Sequence, residues 1–133
     1  MQQQESPPSV ASQGAQEGSV NAPPKALVFV SKAEIAECKS FRDACHLAWT
    51  HRTRKNLTFS HLAVAIDGLY ASHASEYFNK DPISSKGKQL RDLPAKHIAA
   101  VQNELGNYAI SQWLARFAML TLMEEVITTA RGL

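Results

Sequence analysis

The chain is poor in the features that most enzyme and metal-binding classes require. Its 133 residues hold only two cysteines and six glycines. There is no glycine-rich phosphate loop, no nucleophile elbow and no C-x-x-C or H-x-x-x-H pair with metal-ligand spacing. Glu124 and Glu125 are neighbours in sequence, so on a helix they diverge and form no acid–base pair. No run approaches the roughly 20 apolar residues of a membrane span, and no basic start followed by an apolar stretch marks a signal peptide. These absences argue against an enzyme, a metal centre, a cofactor, a small-molecule substrate and a membrane protein, and they place the chain in the cytoplasm.

Cys38 and Cys45 lie in a stretch that reads as helical, about two turns apart and too distant for a disulfide. Both are expected as thiols, as in a cytosolic protein. His46, His51, His61, His73 and His97 with the two cysteines would be the candidate metal ligands but lack ligand spacing, and Cys38, Cys45 and His46 are expected to pack in or beside the first helices.

Apolar residues make up 44% of the chain, an ordinary share for one globular domain. The formal net charge is only +2, but it is unevenly spread. Residues 39–96 carry ten Lys or Arg against five Asp or Glu, a local net of +5. The middle is basic and the flanks are acidic.

Residues 1–25 are rich in Gln, Ser, Pro, Gly and Ala, with Pro7-Pro8 and Pro23-Pro24, and predict a disordered tail. The run ALVFV at residues 26–30 reads as a strand or as an arm that packs on the domain; a lone strand needs a partner, which in a helical protein is often a second copy of the chain. Ser31 followed by Glu34, and Ser40 followed by Asp43, have the form of helix starts. Phe41, Ala44, Cys45, Ala48 and Trp49 recur at three and four residues, predicting an amphipathic helix to about residue 53.

Thr58 is the expected N-cap of the next helix, with Leu62, Ala63 and Ile66 as its buried stripe and Asp67-Gly68 as its end. A second short helix then starts at Ala71 or Ser72, with Ala74, Tyr77 and Phe78 inside. Residues 79–90 form a polar loop with Pro82, Gly87 and three lysines. Asp92 is the expected cap of a helix running through Ile98 and Val101 to Leu105, closed by a left-handed Gly106-Asn107. Residues 108 to about 129 predict the longest helix. There Ile110, Trp113, Phe117, Leu120 and Ile127 suggest one a/d seam, widened by Leu114, Thr121 and Met123. The expected fold is all-α: a compact helical domain over residues 26–107 with a central helix-turn-helix, followed by a long C-terminal helix at 108–133 that serves as a dimer seam.

Two short helices joined by a tight turn form a helix-turn-helix. Ala63 would sit where the two helices touch, Gly68 in the turn, and Leu69 and Ala74 would pin the second helix. That helix presents Tyr70, Ala71, Ser72, His73, Ser75 and Glu76 outward, and short polar side chains suit base edges in a major groove. His73 adds a pH-dependent charge, so contact with phosphate or an acceptor edge would strengthen binding in mildly acidic solution. Arg52, Arg54, Lys55, Lys80, Lys86 and Lys88 bracket the motif and would contact phosphates, which position a protein on DNA without reading sequence. A charge run is more often a solvated face, and short helices with glycine turns occur in any bundle. The bracketing of the motif is what favours DNA.

The run LTFSHLA…GLYASHASEYFN resembles the Cro/repressor-type helix-turn-helix regulators of the xenobiotic-response-element family. Leu57-Thr58, Leu62-Ala63, Gly68-Leu69 and Ser72-x-x-Ser75 match the family pattern. Residues 41–113, with RDLPAKHIAA and ELGNYAISQW, are more loosely similar to small regulators of prophages and mobile elements. One departure is the spacing from Ala63 to Gly68, which is one residue longer than the family's. The resemblance implies an all-helical domain that binds double-stranded operator DNA as a homodimer, represses by occupying the operator and needs no cofactor. It places Ala71, Ser72 and Glu76 at base edges, and Thr58 and Asn79 at phosphates. The competing expectation is a protein-interaction module, such as an antagonist of another regulator built on the same fold.

Overall fold

A computed structural model describes residues 26–132. The tail expected at 1–25 lies outside the described residues. Three helices begin where short polar side chains were expected to cap them. The Ser31 hydroxyl accepts from the Glu34 N–H at 3.2 Å and starts α1 (Lys32–Glu37). The Ser40 hydroxyl accepts from the Asp43 N–H at 3.1 Å and starts α2 (Phe41–Thr50). Thr58 accepts from the His61 N–H at 3.3 Å, while the His61 ring takes the Thr58 N–H at 3.1 Å. This reciprocal pair opens α3 (Phe59–Ala65), with a histidine where a capping box usually has Glu or Gln. Each cap satisfies an otherwise orphaned amide and stabilises its helix by about 1 kcal/mol.

The remaining elements are α4 (Ala71–Tyr77), a 3-10 turn at Ala95–His97 that leads into α5 (Ile98–Leu105), and α6 (Ala109–Ala130). The described residues are all-helical with a long C-terminal helix, as the sequence predicts. Gly106 has φ 81° and closes α5 in the left-handed region, also as predicted.

The ALVFV arm packs on its own domain, one of the two readings its sequence allows. The Val28 N–H donates to the Gly106 carbonyl at 3.0 Å, and the Tyr108 N–H donates to the Val28 carbonyl at 3.0 Å. Gln112 then clamps both the N–H and the carbonyl of Val30. Cys38 caps the C-terminus of α1 while Cys45 lies inside α2, so the two are not in one helical stretch but on either side of the Ser40 cap. Both cysteines are thiols, and burial pushes Cys45 up to about 12, where it is inert.

Asp92 does not cap a helix. Its carboxylate accepts from Arg42 at 3.0 Å instead. Arg42 is only 6% exposed, and its guanidinium also donates to the carbonyls of Glu76, Asn79, Leu90 and Arg91 at 2.6–3.2 Å. One buried cation thus gathers the end of α4 and both ends of the loop that follows.

Along α6 the core covers the expected seam only at its start. Ala109 and Ile110 are buried, and Trp113 and Leu114 pack on the core from its edge. Trp113 donates to the Cys38 carbonyl at 3.2 Å and faces Phe41. Phe117 stays on this face, stacked on Trp113, and the positions that continue the middle of the face beyond it are Thr121, Glu124 and Thr128, all polar. Met119, Leu122, Met123 and Val126 form a second apolar face opposite it, with Leu120 and Ile127 at its edge. These residues and Phe117 are 49–66% exposed.

Candidate nucleic-acid interface

The α3–α4 pair is built on a small, closed contact. Leu62 and Ala74 are fully buried, and Ile66 and Leu69 are nearly so. Leu62 takes the inner position expected of Ala63. Ala63 is half-buried, and Val64 is the most exposed large apolar side chain among the described residues, at 84%. The longer spacing to the turn accounts for this shift, since one extra residue rotates the helix by about 100° relative to the glycine. Gly68 turns the chain at φ 83°, a conformation that L side chains adopt at a cost. A stack of Trp49, Phe59 and Phe78, with ring centroids 4.4–6.1 Å apart, ties α2 to the base of the pair.

On the outer side of α4, Tyr70, Ser72 and Ser75 are exposed, while Ala71 and His73 are half-buried. The Ser75 hydroxyl donates to the Ser72 carbonyl at 2.8 Å. The His73 ring sits edge-on between Tyr70 and Tyr77.

Glu76 departs from the outward set. Its side chain is 15% exposed and turns to the following loop, where the Arg91 N–H donates at 2.9 Å and the Arg91 guanidinium at 2.7 Å. The Arg91 N–H bond, with the charges of Arg91 and Lys88, holds this carboxyl below the usual carboxylate range. The group expected to read a base is occupied in tethering a loop.

That loop is a small hairpin. Ile83 pairs with Gln89, the Ser84 N–H donates to the Lys88 carbonyl at 2.8 Å, and Gly87 turns at φ 82°. The Ser84 hydroxyl accepts from the N–H groups of Lys86 and Lys88. Both lysines project from its tip and are exposed, as are Lys55 and Lys80.

The two arginines expected at phosphates serve other contacts. Arg52 lies over the Trp49 ring at 4.1 Å and donates to the carbonyls of Trp49, Lys55 and Leu57. Arg54 donates to the carbonyl and carboxylate of Glu104 at 2.8 and 2.9 Å, with side chains only 10% and 14% exposed. Thr58 is engaged in its capping box. The Asn79 side chain accepts from the Asp81 N–H, and its carbonyl accepts from Arg42.

Sequence reasoning missed Arg42 and Arg91 as the organisers of this region. A signal existed for Arg42: it stands three and seven residues before Cys45 and Trp49, on the apolar stripe of α2. Arg91 carried none, because its partner lies fifteen residues earlier across a loop.

Among the described residues, no group of three His, Cys, Asp or Glu side chains converges to hold a metal, and no helix is long and apolar enough to cross a membrane. No protein family, curated protein or solved structure matches the chain.

Proposed function

We propose that the chain is a sequence-specific DNA-binding regulator of the Cro/repressor type, a homodimer that represses by occupying its operator through α4. The observation that carries the reading is the tight α3–Gly68–α4 unit, whose second helix exposes Tyr70, Ser72 and Ser75 beside four exposed lysines. Tyr70, Ala71, Ser72 and Ser75 read base edges, with His73 at their border, and Glu76 holds the hairpin in place. Lys55, Lys80, Lys86 and Lys88 contact phosphates. The mechanism is steric and needs no cofactor.

A gel-shift titration against the DNA upstream of the chain's own gene tests this, with Tyr70→Ala/Ser72→Ala run beside the wild type. A specific shift that weakens with salt and is lost in the variant supports the reading, because phosphate contacts make log affinity fall linearly with log salt. The second reading, a module that binds another regulator, draws on the exposed apolar side chains of α6. It predicts a protein complex with no DNA shift at any salt.

A further inference from the structure

The two faces of α6 lie on roughly opposite sides of one helix, at about 100° per residue. The first, Ile110 with Trp113 and Leu114, is covered by the chain's own core. The second, Met119, Leu122, Met123 and Val126 flanked by Leu120 and Ile127, spans an arc of roughly 160° and points away from that core. A straight helix cannot turn this face back onto its own domain. Residues 1–25 are the other segment of this chain that would have to cover it, and they are dominated by Gln, Ser, Pro, Gly and Ala.

We propose that residues 116–130 of α6 form an interface between two copies of the chain, paired antiparallel about Met123. Met119, Leu120, Leu122, Met123, Val126 and Ile127 present on the order of 600 Å² per copy, at the top of the few hundred Å² patches of ordinary monomers and approaching the about 800 Å² that one partner gives a standard interface.

Charge selects the direction. Arg116 sits at the edge of the face, so a parallel pair sets two arginines against each other. In the antiparallel pair Arg116 meets residue 130 of the second copy, at the negative end of that helix. The cores then attach at the outer ends of the pair, about 30 Å apart along the axis. This is comparable with the roughly 34–36 Å between half-sites on adjacent DNA turns. That last point rests on the proposed DNA reading; the interface itself does not.

Sedimentation equilibrium of the full chain without DNA tests the interface separately from DNA binding. The expected result is a dimer for the wild type, an unchanged dimer for the chain lacking residues 2–25, and a folded monomer for Val126→Glu. A monomeric wild type, a dimeric Val126→Glu or a dimer lost with the tail overturns the proposal. Orientation is read by oxidation of two variants beside the wild type. Arg116→Cys/Ala130→Cys should give a reducible covalent dimer and Ala130→Cys alone should not, whereas efficient cross-linking of Ala130→Cys alone overturns the antiparallel arrangement.

Discussion

Arg91 donates twice to Glu76, from its backbone N–H at 2.9 Å and from its guanidinium at 2.7 Å, and this pair fixes the lysine hairpin against the end of α4. The carboxylate form is the one that accepts both bonds. Its lowered pKa means that its contribution is complete above the unfolded value of about 4.3 and is lost as pH falls through the native value. Glu76→Gln should therefore flatten the acid side of the stability profile while leaving the profile's shape near neutral pH alone. Thermal unfolding followed between neutral and acidic pH checks this; an unchanged acid slope in the variant would contradict it.

Arg42 is the larger anchor, since its buried guanidinium serves four carbonyls and the Asp92 carboxylate. Arg42→Met leaves those carbonyls without their donor and should cost about 3 kcal/mol in urea unfolding. Arg42→Lys keeps the charge but not the planar fork, and should recover only part of the loss. A change in Arg42→Met below about 0.5 kcal/mol, the range of ordinary surface substitutions, would show that the hub is not structural.

These anchors mark where the sequence was legible. Ser31, Ser40, Thr58 and Gly106 act on amides and carbonyls a few residues away, so their roles follow from local order. The α3–Gly68–α4 unit follows from apolar spacing in the same way. Glu76 did not, because its orientation is decided by Arg91 across a folded-back hairpin. Arg54 likewise counts as one more positive charge until Glu104 of α5 is brought beside it. In α6 the spacing of Leu120 and Ile127 continues an a/d count from Ile110, but the core ends at Leu114, and no local pattern marks where a long helix runs past its own domain.

The turn between α3 and α4 needs its glycine. Gly68→Ala should cost about 1 kcal/mol from the strained φ of 83° and lower the melting temperature. The space around the position is not limiting, since the nearest atom to an added Cβ is His97 Cε1 at 3.7 Å. An equal or higher melting temperature for the alanine variant would mean that the turn relaxes into another conformation.

The two kinds of basic residue should separate in their salt response. Lys86→Ala and Lys88→Ala should each weaken DNA binding across sequences and reduce the steepness of the log affinity versus log salt plot by about 1. Arg54→Ala should instead lower stability, through its contact with Glu104, and leave that steepness unchanged. A binding isotherm at several salt concentrations for all three variants decides it, and a reduced slope for Arg54→Ala alone would reverse the assignment.

A nuclease footprint of the full chain on the DNA upstream of its own gene tests operator occupancy most directly. The expected result is a protected region with two half-sites one helical turn apart on one face of the duplex, lost in Tyr70→Ala/Ser72→Ala. Protection of no discrete site, or a footprint indifferent to the α4 substitutions, would contradict it.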